Sequence, residues 1–160
     1  MSHVGRAGVE HILELATKPV MASHSSAFAV REHHRNLTDD QLRGIAATGG
    51  VACVNFFAGF LTTEKPTIEH LADHIEHMLA VAGEDHVGLG SDFVQEVFDE
   101  KIPACDRPVI IEGLDSSVYV PGLEGPAGMP LVTEALVARG LPEVTIRKVL
   151  GQNLVRIMSH

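Results

Sequence analysis

Two histidines each follow a serine, in Ser2-His3-Val4-Gly5 and Ser23-His24-Ser25-Ser26, and a helix-like stretch separates them. The second closes a short apolar run, Pro19-Val20-Met21-Ala22, of the kind that forms a buried strand. The pattern is strand end, helix, strand end, with an imidazole delivered at each terminus. In parallel α/β sheets and barrels the carboxyl ends of the strands converge on one rim, where ligands gather. Two imidazoles delivered there can share one metal ion. Asp92 ends a third run, Gly88-Leu89-Gly90-Ser91-Asp92-Phe93. A carboxylate at that point can bind a metal, accept a proton from activated water or hold a substrate ammonium. Plainer readings stand beside these: His24 as a satisfied strand-end histidine, His3 as a near-terminal residue, Asp92 as a turn or helix-capping aspartate. Together the three residues make a metal-assisted hydrolase the leading expectation.

Two further groups compete for attention. His70, His74 and His77 share one face of a helical stretch, and His70-Leu71-Ala72-Asp73-His74 resembles an inverted zincin motif. Asp is a short substitute for the Glu that polarises water in such enzymes, so a polar face or packing against neighbours is the simpler expectation. His33-His34, flanked by Arg31 and Arg35, reads either as solvated charge or as a cationic clamp for a substrate carboxylate, a task suited to Arg.

The bulk properties bound what these residues can serve. At 160 residues the chain has room for one domain and a moderate core. Its 21 acidic and 12 basic residues give a net charge of −9, which argues against nucleic acid or an anionic membrane as partner, since both require a positive footprint. No apolar run reaches spanning length, and the opening Met1-Ser2-His3-Val4-Gly5-Arg6 lacks the hydrophobic region of a secretory signal. Cys53 and Cys105 are too few for a disulfide framework, and Cys53 reads as a small buried hydrophobe. A reducing cytoplasm is the expected location. Ten histidines against one tyrosine and no tryptophan is the unusual balance, and histidine is the commonest metal ligand.

The elements that must position these groups follow from periodicity. Val9, Ile12, Leu13 and Ala16 predict an amphipathic helix over Arg6–Thr17, which Pro19 ends as it opens a strand to Ser23. Thr38-Asp39-Asp40-Gln41 is a capping box starting a helix that buries Leu42, Ile45 and Ala46 and stops at Gly49-Gly50. Residues 50–57 form a continuous apolar strand, typical of one covered on both faces. Thr67 caps a helix running to Gly83 on Ile68, Leu71, Ala72, Ile75, Leu79 and Ala82, and residues 86–92 make the third strand. Between Phe93 and Gly128 a proline-containing stretch shows no period, as in lids or disordered segments, with Val109-Ile110-Ile111 as a candidate short strand. Two helices close the chain, the last over Glu143–Met158 and burying Val144, Ile146, Val149, Leu150, Leu154 and Ile157. Alternating helices and strands at these spacings imply right-handed crossovers and a parallel sheet. Three strands cannot close a barrel and leave two open edges. Either another polypeptide completes the core or the isolated chain folds poorly.

The segments Ser2–Gly5, Pro19–Ser26, Arg35-Asn36, Val54–Phe56, Ala72–Ile75, Val87–Phe93 and Asn153–Arg156 together resemble the renal (membrane or microsomal) dipeptidases, which are zinc peptidases on a (β/α)8 barrel. The resemblance spans nearly the whole chain and corresponds to the carboxyl half of that family. It implies that His3 and His24, from the ends of barrel strands five and six, bind one of two paired zinc ions. It implies that Arg35 contacts the terminal carboxylate of a dipeptide, and that Asp92, on strand eight, contacts substrate and supports the chemistry. In the family, water activated between the zinc ions attacks the scissile carbonyl, and a D-residue on the carboxyl side is often tolerated.

Two departures stand out. Family members commonly continue Asp-Phe-Asp-Gly where this chain has Asp92-Phe93-Val94-Gln95, and the upstream His-x-Asp pair, bridging glutamate and further catalytic histidine have no counterpart here. The expected architecture is therefore one partial α/β domain over residues 1–160: strands six to eight of a TIM-type barrel, their helices and the C-terminal helices. The expected function is that of a zinc dipeptidase whose isolated carboxyl half is weakly active or inactive unless an upstream barrel half or a second copy completes it. A non-catalytic barrel half used in assembly, or another metal-dependent amidohydrolase, are the alternatives.

Overall fold

The computed structural model describes residues 1–94, 100 and 118–159. In chain order these form α1 (Arg6–Leu15), β1 (Met21–Ala22), α2 (Asp39–Ala47), β2 (Val51–Val54), α3 (Ala58–Leu61), α4 (Ile68–Ala82), β3 (Val87–Leu89), α5 (Met129–Ala138), α6 (Glu143–Arg147) and α7 (Asn153–Met158). The three strands form one parallel sheet in the order β1-β2-β3, with Met21 opposite Val51 and Cys53 opposite Gly88. This is the alternating arrangement that the periodicity predicts. The candidate strand at Val109–Ile111, the departure at Gln95 and the second cysteine, Cys105, lie outside the described residues.

The strands are shorter than the apolar runs that signal them, because the chain turns toward the site after two to four paired residues. Backbone bonding nevertheless continues past their ends: Ser25 N–H donates to Cys53 O at 2.7 Å and Gly90 N–H to Val54 O at 2.9 Å. All four residues of β2 are buried, as expected for a central strand covered on both faces. Leu42 and Ile45 of α2, Leu71, Ile75 and Met78 of α4, Leu136 of α5 and Val149 complete the core around it. The Thr38 capping box is present, with Gln41 N–H donating to Thr38 Oγ1 (3.3 Å) and Thr38 N–H to Gln41 Oε1 (3.1 Å). Gly49 leaves α2 at φ +77°, a conformation open to glycine. Ala46 is only partly buried.

Two sequence expectations need correcting. The helical pattern over Arg6–Thr17 ends at Leu15, and of its apolar stripe only Val9 is buried, while Leu13 and Ala16 are half-buried and Ile12 is 37% exposed. The reason is positional: α1 flanks the edge strand β1, and its helix neighbour is α2 alone among the described elements. The final helix is also not continuous. A kink at Gly151, whose backbone is off helical geometry, separates α6 from α7. Ile146, Val149 and Asn153, at i, i+3 and i+7, face inward, while Val144 and Leu150 are exposed. The buried Asn153 Nδ2 donates to Glu84 O and Val87 O, both at 2.8 Å, and so fastens α7 to the start of β3.

Candidate active site

Beyond β1 the chain places Ser23, His24 and Ser25 beside the segment that precedes α1. The His24 backbone N–H donates to Ser2 Oγ at 2.9 Å, and Ser2 Oγ lies 3.1 Å from Ser25 Oγ. These short hydroxyls tie two chain segments together across the sheet edge and bring His3 to His24. The two rings meet edge to face with centroids 5.0 Å apart. Ser23 Oγ sits 2.9 Å from His24 Nδ1, which fixes the ring and leaves Nε2 as its other polar atom. That Nε2 is buried and has no hydrogen-bond partner among the described residues.

A buried polar atom left unpaired costs about 1–3 kcal/mol, so its persistence calls for something that satisfies it. Burial draws the His24 pKa below its ordinary value; the Asp92 carboxylate opposes this, and His3 and Arg35 add to it. The neutral imidazole that results is the form that ligates a metal.

Asp92 approaches from the end of β3. His3 (φ 67°) and Asp92 (φ 53°) are the two non-glycine residues with left-handed backbone among the described residues. That conformation costs on the order of 1–2 kcal/mol, and such outliers gather at functional sites. The surroundings hold Asp92 in place. Asn55 Nδ2 donates to Asp92 Oδ2 at 3.2 Å, and Tyr119 Oη donates to Asp92 O at 2.5 Å while accepting Val94 N–H at 2.7 Å. Asn55 is itself fully buried at the end of β2, its Oδ1 accepting Phe57 N–H at 2.6 Å. Gly90 lets the ends of β1 and β3 converge although they are not sheet neighbours, since a Cβ there would lie 1.8 Å from Ser23 O.

Arg35 enters from the loop after β1. Asn36 Nδ2 ties that loop down by donating to Arg31 O (2.9 Å) and Phe60 O (2.8 Å). The Arg35 guanidinium lies 5.3 Å from the Phe60 ring centroid, and its Nη2 is buried without a partner among the described residues. Burial lowers its pKa while Asp92 opposes the change. All four residues singled out from the sequence, His3, His24, Arg35 and Asp92, therefore gather at the carboxyl end of the sheet. Two imidazoles, one orphaned and one strained, fit as partial metal ligands. Among the described residues, no group of three or more His, Cys, Asp or Glu is disposed to hold an ion.

The competing clusters dissolve. His74 is fully buried in the core, where Nδ1 accepts Ala27 N–H (3.0 Å) and Nε2 donates to Leu61 O (3.1 Å), and burial pushes its pKa down to about 4. His77 Nε2 contacts Asp39 Oδ1 at 2.8 Å, and His70 Nδ1 accepts Thr67 N–H at 3.1 Å. The three rings have separate partners and no common focus. His33, expected to share in a cationic loop cluster, stacks between His34 and Phe60 and is pushed down to about 4, chiefly by burial, so it is uncharged near neutrality. Sequence reasoning passed over Asn55 and Tyr119 as site residues. Asn55 carries a usable signal, a polar residue inside a continuous apolar run; Tyr119 lies in an aperiodic stretch and carries none.

A family model described as membrane dipeptidase (Peptidase family M19) matches residues 1–160. Dipeptidase verJ of Clonostachys rogersoniana is 34% identical over 159 residues, covering 99% of this chain and 36% of its own length. A crystal structure of an amidohydrolase from Pseudomonas aeruginosa superposes with a TM-score of 0.83 at 35% identity, over 99% of this chain and 50% of that one. A metallopeptidase from Rhodobacter sphaeroides, crystallised with a phosphinate mimic of the dipeptide L-Ala-D-Ala, gives a TM-score of 0.78 at 29% identity, over 99% and 40% respectively. The chain thus spans between 36% and 50% of the length of these relatives.

Proposed function

The chain belongs to the membrane dipeptidase family, a family of metallopeptidases, and from that premise we propose that it forms one wall of a zinc-dependent dipeptidase site. The observation that carries the reading is the orphaned Nε2 of His24 on a ring 5.0 Å from that of His3, with Arg35 and Asp92 close by. His3 and His24 hold one zinc ion in this reading, and Ser23 orients His24 by engaging its other nitrogen. When bound, zinc polarises the scissile carbonyl and makes water a better nucleophile. Arg35 receives the terminal carboxylate of the dipeptide through its unpaired Nη2. Asp92, held through Oδ2 by Asn55, offers its other carboxylate oxygen to the substrate ammonium or to a proton released during attack.

The wider architecture of this reading is a partial (β/α)8 barrel, with β1 to β3 as strands six to eight. Its support is the sequential parallel order of the strands and the convergence of β1 and β3 at Gly90. The open edges of the sheet and the bare face of α1 suit completion by another barrel half, in the same or another polypeptide, or by a second copy. That half would supply the remaining ligands for a pair of zinc ions. A cytoplasmic location belongs to the same reading, supported by the free, buried Cys53, and cell fractionation checks it.

Hydrolysis of Ala-Ala by the zinc-loaded protein completed by the other barrel half, abolished in His24→Ala, is the expected result. The amidohydrolase relative favours a second reading: turnover of cyclic amides or esters with none of dipeptides would replace the first. Absence of hydrolysis with any added metal would leave a non-catalytic role in assembly.

A further inference from the structure

The cleft beside His3 is lined at odds with the rest of the molecule. It encloses about 320 Å³ between the first turn of α1 and the loop that carries Arg35. The chain has 21 acidic residues against 12 basic ones, yet among the described residues no carboxylate lines this cleft, whereas Arg6, His34 and Arg35 do. Three arginines elsewhere sit on acids, Arg43 on Asp39 and Asp40, Arg147 on Glu143, and Arg139 on Glu69, Asp73 and Glu76, while Arg31 and Arg156 donate to backbone carbonyls. Arg6 and Arg35 have no ion pair among the described residues. Arg6 lies instead over the Phe28 ring, 4.7 Å from its centroid, and Arg35 Nη2 is buried and unpaired. Helix α1 adds the positive end of its dipole to the same wall. Its cap, Gly5, brings no side-chain acceptor, its first turn carries no acid, and Gly5, Arg6 and Val9 all border the cleft.

A neutral dipeptide presents one carboxylate, and a single Arg suffices for it. The second Arg and the helix terminus remain as positive charge with nothing anionic to receive. On the dipeptidase reading above, we infer that this cleft selects dipeptides whose C-terminal residue has a carboxylate side chain, Asp or Glu, held by Arg6 and the amino end of α1. The assignment to the C-terminal residue follows from Arg35: it takes the main-chain carboxylate of that residue and borders the same cleft as Arg6, so the side chain of the residue it anchors reaches the surplus charge.

The test compares kcat/KM of the zinc-loaded protein, completed by the other barrel half, for Ala-Glu, Ala-Gln and Ala-Ala, since Glu and Gln match in shape and differ in charge. Ala-Glu is expected to exceed Ala-Gln by about tenfold or more, with the ratio shrinking as salt is raised. The ratio should fall to near one in Arg6→Gln and be partly kept in Arg6→Lys. Equal values for Ala-Glu and Ala-Gln alongside turnover of Ala-Ala would overturn the inference and leave the dipeptidase reading standing. A preference untouched by Arg6→Gln would overturn it as well, whereas no turnover of any of the three would remove both.

Discussion

The two ends of the sheet treat buried polar groups in opposite ways. At the amino end, where α6 and α7 pack on the start of β3, nearly every such group is paired. Lys148 Nζ contacts Glu84 and Asp85 at 2.7 and 2.8 Å, Thr145 Oγ1 donates to Glu84 at 2.8 Å, and Arg156 donates to Gly49 O (3.0 Å) and Asp85 O (2.6 Å), with its Nε alone left over. At the carboxyl end His24 Nε2, Arg31 Nε, Arg35 Nη2 and Asn36 Oδ1 are buried without partners among the described residues, and both left-handed non-glycines stand there. Unpaired atoms and strained backbone destabilise a fold. Their concentration on one rim marks it as built for a ligand, and their scarcity on the other marks that end as built for stability. Two histidines state the contrast in miniature: the buried His74 has both nitrogens bonded by backbone groups, and the half-buried His24 has one nitrogen bonded and one, itself buried, waiting.

The largest effect that sharpens this contrast concerns pH. His74 is pushed down to about 4 when folded, against about 6.5 in an unfolded chain. Below pH 6.5 the unfolded state binds the extra proton, so stability is fully present above that pH and falls as pH drops toward 4. The total loss is about 3 kcal/mol. Denaturant unfolding across pH 4 to 8 should show this slope and become clearly shallower in His74→Gln, with a remainder from His33, which is also pushed down to about 4; a slope unchanged by His74→Gln would contradict the burial assigned to that ring.

A smaller effect is expected at the amino end. Asn153→Ala leaves two carbonyls without their donor and should destabilise by about 2 kcal/mol, read as a lower denaturant midpoint with metal affinity unchanged. The smallest lies on the rim, where His3→Gly relieves left-handed strain. Stability should hold or rise by up to about 1 kcal/mol while metal binding is lost. A clear loss of stability would show that His3 is a structural residue.

Much of this was legible in the sequence. The Thr38–Gln41 capping box, the stop at Gly49, the fully buried run of β2 and the alternation of helix and strand all follow from local pattern, and the structure keeps them. His24 and Asp92 were legible because each closes an apolar run, and strand ends are where a parallel sheet displays side chains; His3 was legible because its Ser-His pair repeats that of His24 one helix earlier. What escaped depends on the third dimension. Nothing in the spacing of His74 distinguishes it from His70 or His77, yet the packing of α4 buries it completely between Ala27 and Leu61. The apolar Val144 and Leu150 lie exposed while the polar Asn153 is buried, because packing on β3, which hydropathy does not report, decides which face of the last helices turns inward. Tyr119 reaches Asp92 across 27 residues of sequence, a contact no local period encodes.

The most direct measurement is zinc titration of the protein and its His3→Ala and His24→Ala variants, with X-ray absorption to identify the donors. The account predicts one ion bound through imidazole nitrogen in the wild type, and an affinity lower by more than about 100-fold in each variant. Undiminished zinc binding in His24→Ala would contradict it.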